Sequence, residues 1–225
     1  LAKLIVNSGG AAALVEYVSE TKGHARLPGI MALGFIAAFS ETLALAVVVS
    51  KGVTPLKDAL ITEPEDHIKA AAAWALGQVG RHSPDHARAL AENEVLRVLL
   101  ANYMHEAHSA DLRTKAKRAL KAILKKCTHL PALEPLLKEA PVEIQKYILE
   151  QFAKTLPHDQ QARRTFVQSG GLQLVCQLAE DADGKLAEHI KGIQDCYPPE
   201  IVEYYSPKYA DQLMKKIDEF SPNVG

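Results

Sequence analysis

Apolar side chains recur along most of the chain at the spacing of an α-helix. Three segments, which begin at Gly29, Ala71 and Ala116, carry apolar or small residues at i, i+3, i+4 and i+7, the pattern of a helix with one buried face. Each contains an Ala-Leu pair, and successive pairs lie 43 and 44 residues apart. No long stretch alternates polar and apolar residues as a half-buried strand does. The pattern predicts an all-helical protein built from repeats.

A second series of segments repeats in phase with the first. Val6 opens the stretch VNSGGAAALVEYV, and Val167 opens the similar stretch VQSGGLQLVCQL, 161 residues later. About four units of roughly 40 residues fit into that interval. The stretch SPDHARALAEN illustrates how a unit begins, because Ser83 is a typical helix N-cap and Pro84 suits the first helical position.

Intermediate copies of the same stretch begin at Val48 and Leu90, with a weaker copy at His129. The 42- and 43-residue spacing aligns Gly52 and Glu94 with the first glycine of the opening copy. We interpret each copy as the end of a short helix at glycine, or at Asn-Glu, before an apolar second helix. With the Ala-Leu segments as third helices, the prediction is a solenoid of three-helix units, which bury their apolar faces by stacking.

Composition narrows the class of protein further. The formal net charge is -1 and the hydrophobic fraction 48%, so no global charge argues for nucleic acid. Three cysteines are too few for a disulfide framework. The apolar region from Gly29 to Val49 is interrupted at Ser40, which leaves about ten apolar residues on each side, whereas a membrane span needs roughly 18. We predict neither a nucleic-acid partner nor a membrane span.

The chain begins at Leu1 with neither an initiator methionine nor a signal peptide, so we interpret it as part of a longer protein. Leu1, Leu4 and Ile5 are typical of the end of a helix from a preceding unit. Because such a face would expose apolar surface, we predict self-association or a disordered first segment.

The order of short helix, glycine, apolar second helix and Ala-Leu third helix resembles the armadillo repeat. The stretches KKCTHLPALEPLL and LPHDQQARRTFVQSGGL, with the Tyr-Pro-rich tail after Cys196, are more specifically similar to armadillo proteins of the ciliary and flagellar central apparatus. The resemblance implies an armadillo-type right-handed α-solenoid that acts as a non-catalytic protein-binding scaffold needed for flagellar motility. Its implied partners are central-apparatus proteins and tubulin, and its implied location is the cytoplasm, the cytoskeleton and the axoneme.

Armadillo proteins that carry peptides, such as importins and catenins, line their groove with a ladder of Asn and Trp side chains. The positions two residues after each Ala-Leu pair are Phe35, Gln78 and Ala122. Among these positions, only Trp74 and Gln78, which lie one helical turn apart on one helix face, resemble a step of that ladder. One rung cannot hold an extended peptide as a ladder does. We therefore interpret Trp74 first as a structural aromatic of the groove or core, and an importin-like carrier is the alternative function.

The strongest charge cluster is RTKAKRALKAILKK, with seven basic residues and no acid. Four of them repeat at i+4 on one helix face, and we call this set the basic stripe: Arg113, Lys117, Lys121 and Lys125. Like charges at this spacing repel by a few tenths of a kcal/mol, so the stripe predicts contact with an acidic protein surface, such as the acidic tails of tubulin. A solvated helix face is the other interpretation.

The histidines and cysteines lack the spacing of catalytic or metal sites. His105 and His108 do not form H-E-x-x-H, and Pro84 separates His82 from His86 at a helix start. No phosphate-binding loop or activated nucleophile is recognisable. We predict no enzyme, no metal, no cofactor and no small-molecule substrate.

The last 29 residues change composition, and we divide the chain into armadillo repeats over 1–196 and a capping tail over 197–225. The tail holds four of the seven tyrosines: Tyr197, Tyr204, Tyr205 and Tyr209. A final helix is predicted from about Ser206 to Phe220. Because the last unit of a solenoid exposes its core, the tail is predicted to cap it, or otherwise to dock a partner.

Overall fold

The computed structural model describes residues 2–209 and 213–215. These residues form α-helices and two short 3-10 helices, with no β-strand among them. They divide into two compact bodies, Leu1–Ala140 and Pro141–Gly225. None of the described helices is long and apolar enough to cross a membrane. The prediction of an all-helical chain is confirmed.

In the described residues, the first body contains ten α-helices: α1 (Ala2–Asn7), α2 (Gly10–Glu20), α3 (Leu27–Phe39), α4 (Glu41–Val49), α5 (Val53–Thr62), α6 (Asp66–Gly80), α7 (Pro84–Glu92), α8 (Val95–Met104), α9 (Ala110–Leu124) and α10 (Leu130–Glu139). The described part of the second body contributes α11 (Val142–Thr155), α12 (Gln160–Gln168), α13 (Gly171–Leu178), α14 (Gly184–Gln194) and α15 (Pro199–Tyr204). Helix α7 begins as predicted, since Ser83 is its N-cap and Pro84 its first residue.

The third helices of successive repeats pack side by side, with α6 between α3 and α9. The leucines of the three Ala-Leu pairs, Leu33, Leu76 and Leu120, are fully buried. Small residues let the helices approach closely: a Cβ added to Gly77 would lie 2.9 Å from the Cα of Ala119. The Ala-Leu periodicity therefore marks the seam between third helices.

The turn between first and second helices has a left-handed residue in four repeats. Gly9 and Gly170 adopt φ values of 81° and 85°, which glycine tolerates because it has no Cβ. The equivalent residues in the two intervening copies are Lys51, with φ 61°, and Glu94, with φ 59°. The sequence alignment that matched Gly52 to the first glycine was therefore wrong by one residue. Gly52 instead occupies the second position.

One repeat has two helices where the sequence analysis predicted three. Helix α9 ends at Leu124 and α10 begins at Leu130, so only five residues separate a third helix from the next second helix. Five residues are too few for a first helix and its turns. Cys127, in the middle of this connection, is fully buried. The short connection takes the place of the first helix.

A buried ion pair joins the first two repeats. Arg26, at the start of α3, and Glu63, at the end of α5, lie 3.2 Å apart and are almost fully buried. Arg26 also donates to the carbonyl oxygens of Val18 and Pro55, and the backbone N–H of Gly23 donates to the Glu63 carboxylate. Because both charged side chains also hydrogen-bond to the backbone, the pair holds these backbone segments in one arrangement.

Candidate protein-binding face

The basic stripe runs along one flank of α9, beside the more exposed residues Asp111, Thr114 and Arg118. Ala116, Leu120 and Ile123 form part of the core-facing side of the helix and are fully buried. Arg113, Lys117 and Lys121 are half-buried, and Lys125 is exposed. Half-burial is typical of long cationic side chains, which bury their aliphatic stems and keep the charged head in water.

Two stripe cations are anchored to the end of α8. The Nε–H of Arg113 donates to the backbone carbonyl of Tyr103 at 3.1 Å, and Nζ of Lys117 lies 5.0 Å from the centroid of the Tyr103 ring. A cation at this distance is attracted to the aromatic face. Tyr103 therefore orders the first half of the stripe.

Trp74 and Gln78 are the half-buried residues on a stretch of α6 that is otherwise buried from Ala70 to Gly80. The Trp74 ring meets the ring of Phe35 edge-on at 5.0 Å, and a Cβ added to Gly34 would lie 2.3 Å from Trp74 Cζ3. Trp74 thus fills the gap left by Gly34 on the neighbouring third helix. Phe35 itself is 61% exposed.

The histidines considered as catalytic candidates have structural contacts. His108 Nδ1 lies 3.0 Å from Asp66 Oδ1, and His82 Nε2 lies 2.7 Å from the carbonyl oxygen of Ala37. The pKa of Asp66 is lowered, first because the Ser109 backbone N–H donates to its carboxylate, and also by the nearby His108, with burial opposing. The Asp66 contacts join α6 to the start of α9, whereas the His82 contact joins α3 to the turn after α6.

Three of the tail tyrosines lie together, and the fourth contacts α12. The hydroxyl of Tyr197 donates to the Arg163 carbonyl at 3.2 Å, and burial raises the pKa of Tyr197. The ring centroid of Tyr204 lies 5.1 Å from that of Tyr205 and 5.4 Å from that of Tyr209. Residues 210–212 and 216–225, which include most of the predicted final helix, lie outside the described residues. The boundary at 196 and the capping role stay predictions.

Sequence reasoning missed two groups that tertiary structure brings together. One is the Arg26–Glu63 pair, and the other is a cluster of His24, Glu65 and His67. His24 and His67 are 43 residues apart, the repeat period, so a search for polar residues at equivalent repeat positions could have found the second group.

Comparison with known proteins supports the repeat assignment. No family model matches the chain. The chain is 56% identical over 163 residues to sperm-associated antigen 6 of Homo sapiens and equally to that of Mus musculus. The match covers 72% of this chain and 32% of each relative, so the chain spans about a third of the length of these curated relatives.

Solved structures with the same architecture are designed armadillo repeat proteins. One, in complex with the peptide (KR)4, superposes with a TM-score of 0.57 at 15% identity and covers 88% of this chain and 85% of that chain. A second has a TM-score of 0.56 at 16% identity and covers 95% and 94%. The chain is an armadillo-repeat solenoid. The fold class inferred from periodicity is confirmed.

Proposed function

We propose that this armadillo solenoid is a non-catalytic scaffold of the central apparatus of cilia and flagella, where it supports motility and axoneme integrity. The observation that carries the proposal is the 56% identity to sperm-associated antigen 6 over most of the chain. The solenoid offers a long, repetitive surface, which is how such folds bind other proteins. The proposed partners are axonemal central-apparatus proteins and tubulin.

Within the scaffold, we assign partner binding to the basic stripe on α9. The basic stripe carries four positive charges at regular spacing, and two of them are oriented by Tyr103. Ordered cations suit a surface that is rich in carboxylates, because complementary charges accelerate association. The attraction should be screened over about 8 Å at physiological ionic strength. Acidic tubulin tails have the required chemistry.

Co-sedimentation with microtubules at low and moderate salt tests the stripe. The variant Lys121→Glu with Lys125→Glu reverses two charges near the end of α9. The matched control, Arg118→Glu with Lys126→Glu, makes the same change in net charge at two exposed residues outside the stripe. We expect the wild type and the control to pellet at low salt, the stripe variant to pellet several-fold less, and added salt to release all three.

Two outcomes would contradict the stripe assignment: equal pelleting of both variants, or no pelleting of the wild type at low salt. Circular dichroism verifies that each variant folds. The axonemal role is tested separately, by locating the tagged full chain in ciliated cells. A diffuse distribution that excludes the axoneme would refute the scaffold proposal. If the stripe variant fails to pellet with microtubules but still localises to the axoneme, the stripe binds tubulin without being needed for the axonemal location.

A further inference from the structure

We propose that His24, Glu65 and His67 form a binding site for a divalent transition-metal ion, of which zinc is the best match, between the first two repeats. His24 lies in the 3-10 helix Gly23–Ala25 ahead of α3, Glu65 is the N-cap residue of α6, and His67 lies in its first turn. One ligand atom from each of the three lies within 4.8 Å of the other two.

The distances fit a tetrahedral ion. His24 Nε2 and His67 Nδ1 each lie 3.4 Å from the same atom, Glu65 Oε2. Zinc binds nitrogen and oxygen at about 2.0–2.2 Å, so two ligands at a tetrahedral angle lie roughly 3.3–3.5 Å apart. Both nitrogen–oxygen separations are therefore already those of a zinc site. The distance is also longer than the usual 2.7–3.2 Å or so of an N–H···O hydrogen bond.

The remaining ligand–ligand distance, between the two imidazole nitrogens, can shorten by side-chain rotation. The ring centroids lie 5.2 Å apart with an interplanar angle of 31°, and the ligand nitrogens lie within 4.8 Å of each other, so a small change in side-chain torsion brings them to ligand spacing. His24 is exposed and Glu65 and His67 are at least 40% exposed as side chains, which leaves their rotamers free to adjust. Water can supply the fourth ligand at such an open position.

The backbone that carries these ligands is held by the buried ion pair of the fold. Gly23, next to His24, donates its N–H to the carboxylate of Glu63, which lies two residues before Glu65. Arg26, two residues after His24, binds the same carboxylate. A buried hydrogen-bond network thus fixes the backbone on both sides of the site. Such a network lowers the entropy cost of ordering the ligands when an ion binds.

The donor set selects the class of ion. Two imidazoles and one carboxylate suit zinc and its neighbours among the first-row transition metals, whereas calcium and magnesium prefer an all-oxygen shell. A bound ion would tie the turn before α3 to the start of α6. The inferred role is to strengthen the contact between two repeats, independently of the proposed axonemal function.

Another histidine group provides a control. His105 is exposed and its ring lies 4.5 Å from that of His108, but His108 already pairs with Asp66. Among the described residues, no three donors other than His24, Glu65 and His67 converge closely enough to hold an ion. A His105→Gln variant therefore removes a surface imidazole of similar setting without touching the proposed site.

Titration of the full chain with Co²⁺ and Zn²⁺ alone tests the proposal by calorimetry, by the visible absorption of bound Co²⁺, and by thermal melting. We expect one ion per chain, displacement of Co²⁺ by Zn²⁺, and a melting temperature that rises with zinc concentration, as for any ligand that binds only the folded state. His24→Gln and His67→Gln should each weaken binding at least about tenfold, and His105→Gln should leave it unchanged.

Equal affinities in the wild type and the His67→Gln variant would overturn the site, and so would the absence of saturable binding. A thiolate charge-transfer band in the Co²⁺ spectrum would also overturn it, by assigning the ion to a cysteine. Circular dichroism without metal separates a lost site from a lost fold, since His24 and His67 are surface residues whose replacement by glutamine should leave the helices intact.

Discussion

The seam between α6 and α9 in the first body and the seam between α11 and α14 in the second differ in how closely the helices approach. A Cβ added to Gly77 of α6 would lie 2.8 Å from the Cβ of Ala119 and 2.9 Å from its Cα. A Cβ added to Gly192 of α14 would first meet the Cβ of Ala153, at the ordinary distance of 3.8 Å. The first seam is backbone against backbone, and the second has room for a methyl group.

Burial along the two helices shows the reason. Helix α6 packs against both α3 and α9 and buries ten of its fifteen residues, most of them alanine or glycine. Helix α14 buries Leu186, Ile190 and Ile193 on one side, the pattern of an ordinary amphipathic helix. A helix packed closely between two others, as α6 is, thus tolerates little change in volume, whereas α14, which among the described residues buries only one side, has more room to adjust.

Alanine at the two seam glycines should have opposite effects, and this is the largest effect we predict. Gly77→Ala should destabilise the chain by about 1–3 kcal/mol, because the Ala119 backbone cannot move aside without separating the helices. Gly192→Ala should be neutral or stabilising by up to about 1 kcal/mol, since alanine is the better helix former. Urea denaturation followed by circular dichroism measures both. A loss of similar size in both variants would remove the distinction between the seams.

The left-handed turns offer a second comparison between the bodies. Lys51→Gly in the first body should stabilise the chain by up to about 1 kcal/mol, because glycine relieves the positive φ, although it adds freedom to the unfolded chain. Gly170→Ala in the second body should cost about 1 kcal/mol for the same reason. Thermal melting of the two variants against the wild type provides the measurement. Destabilisation by Lys51→Gly would mean that the lysine side chain contributes more than the turn strain removes.

Acid stability should show the smallest effect, confined to the first body. The pKa of Asp66 is lowered by the Ser109 N–H that donates to its carboxylate. The ionised carboxylate therefore stabilises the folded state at pH values above the ordinary pKa of an Asp side chain, about 3.9. That stabilisation is lost as the pH falls through the lowered pKa. Asp66→Asn should therefore be less stable than the wild type at neutral pH, and the gap should narrow below about pH 4. A gap independent of pH would exclude this contribution.

Much of the fold followed from local patterns. The helical spacing of apolar residues predicted helices, and the 43- and 44-residue spacing of the Ala-Leu pairs placed the seams where Leu33, Leu76 and Leu120 are buried. Ser83 and Pro84 marked the start of α7 because capping depends on residues within one turn. Such features are legible in a sequence since the interacting residues are neighbours along the chain.

The candidate surfaces were predictable only in part. Spacing at i+4 placed Arg113, Lys117, Lys121 and Lys125 on one side of α9, but the anchoring of the first two by Tyr103 depends on how α8 returns beside α9. Similarly, the sequence predicted Trp74 as a structural aromatic without deciding between the groove and the core. Its position over Gly34 required knowing which residue of the neighbouring helix lay opposite.

Sequence by itself therefore determined that this protein is a helical solenoid, where most units begin, and which helix carries the charge. Tertiary structure decided the register of the turns, including the left-handed backbone at Lys51 and Glu94, and the loss of one first helix before α10. It also decided which polar groups meet across repeats, as Arg26 meets Glu63 and as His24 meets Glu65 and His67. Periodicity arises from contacts within one helix or one unit, whereas these pairings depend on the packing of residues about 40 positions apart in the chain.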